Sequence, residues 1–294
     1  MSDLLQELGG IFFLGSISFV ALWIAKRKGF FETLGRELLT LPLSLAHVLI
    51  VFAIYFGVSS FLLPPLLGLL RKLFQFANAS DGTLAFLVLL QLILSLSIAA
   101  LLLLFCKTLN PQIIKSIWRS QEHRGSYKKD IATAAAAWVI SLPLLLFVSQ
   151  LLDVLVRIFF HVQELPDQTA VRFLKMTLTH PALFSFTLFS IVILAPFIEE
   201  LMFRGFLQTY IRKFFRPPLA ISLSSFCFAF FHFSPDQGLG NIPIIGSLFI
   251  LALFLGFIYE RNRSLSAPLA LHALFNAISV LNLYFLGGTP RWIF

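Results

Sequence analysis

Long apolar runs separated by short polar segments dominate the chain. The run at residues 84–105 exceeds the roughly 20 residues with which a helix crosses the hydrocarbon of a bilayer. The pattern predicts eight membrane spans, of which the first and the sixth are short: 11–25, 43–63, 84–105, 131–152, 183–203, 219–233, 243–259 and 267–286. We therefore expect an all-α polytopic membrane protein.

The composition leads to the same class. Hydrophobic residues make up 58% of the 294-residue chain and charged residues 12%, and the mean hydropathy is +0.90. Soluble globular domains usually contain about 25% charged residues, so this chain has too little polar surface to cover a soluble globule. We predict an integral membrane protein in contact with the lipid bilayer and without a soluble second domain.

Basic residues are distributed unevenly among the loops. The loops after the first, third, fifth and seventh predicted spans contain 16 of the 22 Lys and Arg residues. By the positive-inside rule, these odd-numbered loops are predicted to be cytoplasmic and both termini outside, in the inner membrane if the source is bacterial. The basic residues form no aromatic-interleaved face, so the net charge of +8 does not indicate a nucleic-acid partner.

The character of the spans changes near residue 110. Residues 1–110 have almost no ionisable groups in their spans, with His47 the exception, whereas Gly, Pro and charges interrupt the later ones. We predict that residues 1–110 frame a helix bundle and that residues 111–294 form its working core. The long polar segments 110–130 and 153–181 are interpreted as connectors. The second is alternatively an interfacial helix or a gate on the outer surface.

Six polar side chains lie in or at the ends of the later spans. They are Glu199, Glu200, Arg204, His232, His272 and Asn276. Ionisable groups inside a bilayer are costly unless they face the bundle interior or a wet cavity. An acid, a base and an amide together therefore indicate a functional site in a polar cavity.

The first group contains an ion pair at helical spacing. Arg204 follows Glu200 by four residues, so both side chains lie on one face of a helix, and Arg204 also reaches toward Glu199. An arginine here would hold one carboxylate ionised. The alternative is a helix end that reaches water, with an ordinary surface ion pair.

The histidine of the second group, His232, is predicted to lie at the same depth in the membrane as Glu199. If the fifth and sixth spans form a hairpin that turns near Arg216, Glu199 lies 17 residues before the turn and His232 lies 16 after it. At about 1.5 Å per residue the two side chains reach the same height. A glutamate beside a histidine is suited to hold and deprotonate a water molecule. The alternative for His232 is helix packing.

His272 and Asn276 are also four residues apart and share one helix face. Both side chains have hydrogen-bond donors that suit a developing oxyanion. The alternative for Asn276 is an interhelical hydrogen bond, a common role for amides in membrane helices.

Three motifs on successive apolar segments carry a family resemblance. They are Glu199-Glu200-x-x-x-Arg204, Phe228-x-x-x-His232 and His272-x-x-x-Asn276. In this order they resemble the motifs of the CAAX protease and bacteriocin-processing family, which includes the type II CAAX prenyl endopeptidases. The resemblance covers about residues 131–286.

The resemblance implies about eight helices around a conical cavity and a glutamate-dependent, metal-independent endopeptidase. It implies that Glu199 and His232 activate water, that His272 and Asn276 stabilise the oxyanion, and that the other two residues of the first motif support the site. The expected substrate is a peptide or a membrane protein. No cofactor is expected.

Other readings of the same residues remain. Two histidines and a glutamate could hold Zn²⁺, although no H-E-x-x-H is present. The spans lack a convincing pair of aspartates for aspartyl proteolysis, and Gly246-Ser247 is the nearest candidate for a serine site. A transporter would show polar interruptions in both halves. A non-catalytic scaffold, or an immunity-type protein that retains the pocket, is the remaining alternative.

Overall fold

The computed structural model of the protein describes residues 2–32, 38–62, 65, 80–119 and 126–286. These residues form helices and connecting turns, with no β-strand among them. The helices are α1 (Ser2–Arg27), α2 (Leu45–Gly57), α3 (Ser80–Thr108), α4 (Pro111–Trp118), α5 (Tyr127–Phe160), α6 (Thr169–Thr177), α7 (Pro181–Ile211), α8 (Pro217–Phe231), α9 (Asn241–Asn262) and α10 (Ser266–Leu286). The predicted all-α fold is confirmed.

Each predicted span coincides with a helix, although not every helix is long. Within the described residues, six helices are long and apolar enough to cross a membrane, namely α1, α3, α5, α7, α9 and α10. Two apolar helices, Leu45–Phe61 and Pro217–Phe231, are shorter, so the number of eight spans is not confirmed. The first span was predicted to be short, but α1 has 26 residues. Residue 63 of the second span lies outside the described residues, as do Arg36 and Arg124, two of the basic residues counted in the first and third loops.

The two predicted connectors contain helices. Segment 110–130 includes α4 and the start of α5. Helix α5 is 34 residues long in total and ends at Phe160, inside the second segment. Its charged end is stabilised because Arg157 forms ion pairs with Asp153 at 2.8 Å and with Glu7 of α1 at 2.7 Å. Helix α6 buries Val171 and Leu174. Segment 153–181 is therefore a solvated connector only in part, because residues 153–160 continue α5 and α6 packs one face inward, whereas many of the other side chains are exposed.

Helices α7 to α10 form the part of the bundle that carries the polar motifs. Proline begins α7 and α8, where a missing N–H costs no helical hydrogen bond. The tight turn between α7 and α8 returns the chain beside itself, as the hairpin prediction requires. Helix α9 approaches α7 closely at Gly256, where an added Cβ would lie 2.7 Å from the Gln208 Oε1 atom. This approach brings polar side chains of α7 to the backbone of α9.

Candidate active site

Helix α7 departs from regular α-helical winding on both sides of the glutamates. Residues Ser190–Leu194 and Leu201–Gln208 are wound as π-helix, a geometry that often occurs at functional sites. In the first π segment the N–H of Ala195 donates to the Ser190 carbonyl. The next donor along the helix would be Pro196, which has no N–H. The Ile191 carbonyl is thereby left for a partner outside α7.

Asn276 of α10 supplies that partner. Its Nδ2 atom donates a hydrogen bond of 2.9 Å to the Ile191 carbonyl oxygen. The side chain is 8% exposed, so the bond replaces a helical one in a largely buried setting. The interhelical role considered for Asn276 is therefore observed. One hydrogen of the amide is used in this contact, and a second hydrogen remains on the same nitrogen.

The Glu200–Arg204 pair is deeply buried. Arg204 Nη1 donates to Glu200 Oε1 at 3.0 Å, and the side chains of both residues are 0% exposed. Arg204 Nη2 also donates to the Ala252 carbonyl oxygen of α9 at 3.1 Å, and its guanidinium lies 4.4 Å from the centre of the Phe228 ring. The alternative of a surface ion pair is wrong.

Toward the C-terminal end of α7, further polar side chains follow the Glu200–Arg204 pair at intervals of four residues. Gln208 donates to the Gly256 carbonyl at 3.0 Å and to the Glu260 carboxylate at 3.2 Å. Arg212 donates to the other Glu260 oxygen at 3.1 Å. This series was not predicted, although it can be read from the four-residue spacing of Glu200, Arg204, Gln208 and Arg212. These contacts join α7 to α9 along the buried side of the site.

Glu199 and His232 lie side by side, as the hairpin spacing predicted. The distance between Glu199 Oε2 and His232 Nε2 is 3.8 Å. His232 follows the last residue of α8, and its Nδ1 atom lies 2.9 Å from the Phe228 carbonyl oxygen. Because a carbonyl only accepts, Nδ1 must carry the hydrogen. In the neutral ring, Nε2 therefore presents its lone pair toward Glu199.

His272 connects the two glutamates, which the sequence analysis did not predict. Its Nδ1 atom lies 2.8 Å from Glu200 Oε1, the oxygen that also accepts from Arg204. Its Nε2 atom lies 3.8 Å from Glu199 Oε2. An ionised carboxylate only accepts, so Nδ1 of His272 donates the hydrogen bond. The Nε2 atoms of both histidines thus face the same carboxylate oxygen.

The accessible part of this cluster lies at Glu199 and His232. Their side chains are 14% and 18% exposed, compared with 6% for His272. Although the Glu199 side chain is partly exposed, its Oε2 atom is buried and has no hydrogen-bond partner among the described residues. Separations of 3.8 Å are too long for direct hydrogen bonds but suit a bridging water molecule. The arrangement is suited to hold water beside a carboxylate and an imidazole.

A metal site is the alternative interpretation of these residues. Within the described ranges, no group of three or more His, Cys, Asp or Glu side chains has the arrangement of a metal site. Glu200 is also engaged by Arg204, so the polar residues at this point form an ion-paired and hydrogen-bonded chain.

A comparison with protein-family models matches residues 181–278 to the family described as type II CAAX prenyl endopeptidase Rce1-like. This match confirms the resemblance. The Rce1-like region includes all three motifs and lies on α7 to α10. Searches of curated proteins and of solved structures found no significant match. The Rce1-like match and the apolar helices together support an integral membrane protease that acts on a peptide or membrane-protein substrate.

Proposed function

We propose that this protein is a membrane-embedded endopeptidase in which Glu199 and His232 activate a water molecule for hydrolysis of a peptide bond. The observation that carries the proposal is the buried Glu199 Oε2 atom, which lies 3.8 Å from Nε2 of His232 and of His272. A carboxylate beside an imidazole, in a partly enclosed site, is suited to general-base catalysis.

The reaction proceeds by addition and elimination. Water held between Glu199 and His232 attacks the carbonyl carbon of the peptide bond, and the proton that it loses passes to one of these two bases. The new C–O bond produces a tetrahedral oxyanion. When the C–N bond breaks, the stored proton is returned to the leaving nitrogen, so the products are a carboxylic acid and an amine.

Stabilisation of the oxyanion is assigned to His272 and Asn276. Because Nδ1 of His272 already donates to Glu200, the ring must carry a hydrogen on both nitrogens to donate from Nε2. The Glu200 carboxylate, held by Arg204, orients the ring for this task. Asn276 contributes the amide hydrogen that its bond to Ile191 leaves free. The division into a framing region, residues 1–110, and a catalytic region, residues 111–294, belongs to this proposal.

The support role of the ion pair predicts a stability effect. Arg204→Ala removes the guanidinium that pairs with the fully buried Glu200 carboxylate and leaves that carboxylate with its His272 contact, so the change is expected to cost about 3–5 kcal/mol of unfolding free energy. The measurement is thermal unfolding in detergent. Arg216→Ala, which removes an exposed arginine of the α7–α8 turn, is the matched control. Equal melting of the two variants would show that the pair contributes little to stability.

The proposed mechanism needs no metal, and this is tested with a chelator. We expect phenanthroline to leave peptide cleavage by the purified protein unchanged, because the proposed nucleophile is generated by Glu199 and His232. Cleavage rates with and without chelator are compared after dialysis. Inhibition that added Zn²⁺ reverses would contradict the metal-free mechanism and favour a zinc hydrolase.

The orientation proposed from the basic loops is tested by reporter fusions. Fusions after Arg124 are expected to report the cytoplasm, and fusions near Asp167 the opposite side, because the intervening helix α5 crosses the membrane once. The activity of a compartment-specific reporter is the measurement. Signals from the same side for both fusions would contradict the topology.

A further inference from the structure

A buried amide, Gln237, connects His232 to helix α6. Its side chain is 1% exposed. Nε2 donates to the His232 carbonyl oxygen at 3.2 Å and to Asn241 Oδ1 at 2.7 Å, while Oε1 accepts from the Thr169 N–H at 3.1 Å. Both hydrogens of the amide nitrogen and the amide oxygen are therefore engaged.

The partners of Gln237 fix its orientation. Asn241 Oδ1 also accepts from the Ser234 N–H at 3.0 Å, and Asn241 Nδ2 donates to the carbonyls of Ser234 and Gly238. If the Gln237 amide were reversed, its oxygen would face two acceptors and its nitrogen would face an N–H group. An unsatisfied buried polar group costs about 1–3 kcal/mol, so this network permits one arrangement.

Gln237 contacts His232 directly after the end of helix α8. Helix α8 ends at Phe231, and His232 has φ −90° and ψ 4°. Its carbonyl has no following helical turn to pair with, and Gln237 supplies the donor. The imidazole is bonded to the Phe228 carbonyl. The residue is thus held through its backbone and its ring, so the position of Nε2 relative to Glu199 depends on both contacts.

The contact with Thr169 caps the first turn of α6. Gln168 precedes this helix but makes no side-chain cap, and the Thr169 N–H at its start is bonded by Gln237 instead. The neighbouring backbones are also close, because a Cβ added at Gly240 would lie 2.6 Å from the Pro166 carbonyl oxygen. Helix α6 is therefore docked on the turn that carries His232.

We propose that Gln237 is a positioning residue that holds His232 in line with Glu199 and couples this alignment to the docking of α6. The inference rests on the proposed role of His232 as a base. A base must lie within hydrogen-bond reach of the water that it deprotonates, and a displacement of about 1 Å is enough to lower a rate by about 100-fold. Substrate binding does not require Gln237 in this proposal.

The test is a double-mutant cycle with the full-length protein in detergent and a membrane-soluble reporter peptide. Gln237→Ala is expected to lower kcat by about 10- to 100-fold with a nearly unchanged KM. In the His232→Ala background the same change is expected to lower kcat less than about 2-fold, because the residue that it aligns is gone. Thr177→Val, which removes a buried hydroxyl of α6 that bonds to Leu174, is the matched control and is expected to keep wild-type kcat.

A second variant covers the case in which Gln237→Ala does not fold. Gln237→Glu has nearly the same shape and retains the acceptor for Thr169, but its carboxylate faces the His232 carbonyl, so the same fall in kcat is expected. Wild-type kcat in a folded Gln237 variant would overturn the proposal. An equal fall with and without His232 would also overturn it, because Gln237 would then act on the fold alone. Full activity of His232→Ala would instead refute the proposed function.

Discussion

Replacing Glu199 by Gln is expected to lower the rate of peptide cleavage by about 10²–10⁴-fold, the range for loss of a general base. The substitution removes the proton acceptor with little change in volume. His232→Ala is expected to produce a loss in the same range, because Nε2 of His232 and Oε2 of Glu199 face the same point at 3.8 Å. The measurement is kcat/KM for a membrane-soluble peptide with purified, folded variants.

The control for Glu199→Gln is its thermal stability. Glu199 Oε2 has no hydrogen-bond partner among the described residues, so the amide breaks no contact at that atom. We expect the melting temperature to stay near that of the wild type, in contrast to Arg204→Ala. Turnover at the wild-type rate in both Glu199→Gln and His232→Ala would refute the roles assigned to these residues and would favour a non-catalytic scaffold that retains the pocket.

Asn276→Ala is expected to lower kcat by about 10²–10³-fold while KM stays nearly constant, because an oxyanion donor acts mainly in the transition state. The same change removes the partner of the Ile191 carbonyl, which adds a stability cost of about 1–3 kcal/mol. Steady-state kinetics and thermal unfolding must therefore be measured together. Activity is compared at a temperature where the variant is fully folded.

Two further variants separate the two roles of Asn276. Asn276→Asp presents acceptors to the Ile191 carbonyl and to the oxyanion, so it is expected to be no more active than Asn276→Ala. Ser279→Ala removes a small buried polar group from the same helix and is expected to retain activity. A rise in KM alone for Asn276→Ala, or a loss of stability with full kcat, would show that the side chain only holds substrate or helices.

The fold was predictable because most of the apolar runs are long enough to cross a bilayer as a helix, whatever the rotation of that helix about its own axis. Every predicted span coincides with a helix, and the return of α8 beside α7 follows from the short turn at Arg216. The ends of helices were less predictable. Segment 153–160 contains charges, yet it continues α5 because Arg157 pairs with Asp153 one turn away and with Glu7 of another helix.

The candidate site was predictable where its geometry is local. The four-residue spacing of Glu200 and Arg204 and the matched depth of Glu199 and His232 required only helix dimensions. The contact between His272 and Glu200 depends instead on the rotation of α10 about its axis, which tertiary packing decides. The bond from Asn276 to Ile191 depends on π-helical winding of α7 and on Pro196 together.

The role of Gln237 could not be predicted from the sequence. The residue lies in a short polar turn after His232, where glutamine is ordinarily exposed. Its burial follows from the docking of α6 on that turn, and this contact joins residues 68 positions apart. Only the tertiary structure brings the amide to the His232 carbonyl.

The most direct test of the central claim is mass spectrometry of a membrane-inserted peptide after incubation with the purified protein in lipid vesicles. The wild type is compared with Glu199→Gln, in the presence of a chelator. The account predicts two product peptides from the wild type alone, whose masses add up to the substrate plus one water molecule. Intact substrate with the folded wild type, or equal cleavage by Glu199→Gln, would contradict the claim that Glu199 activates water in this protein.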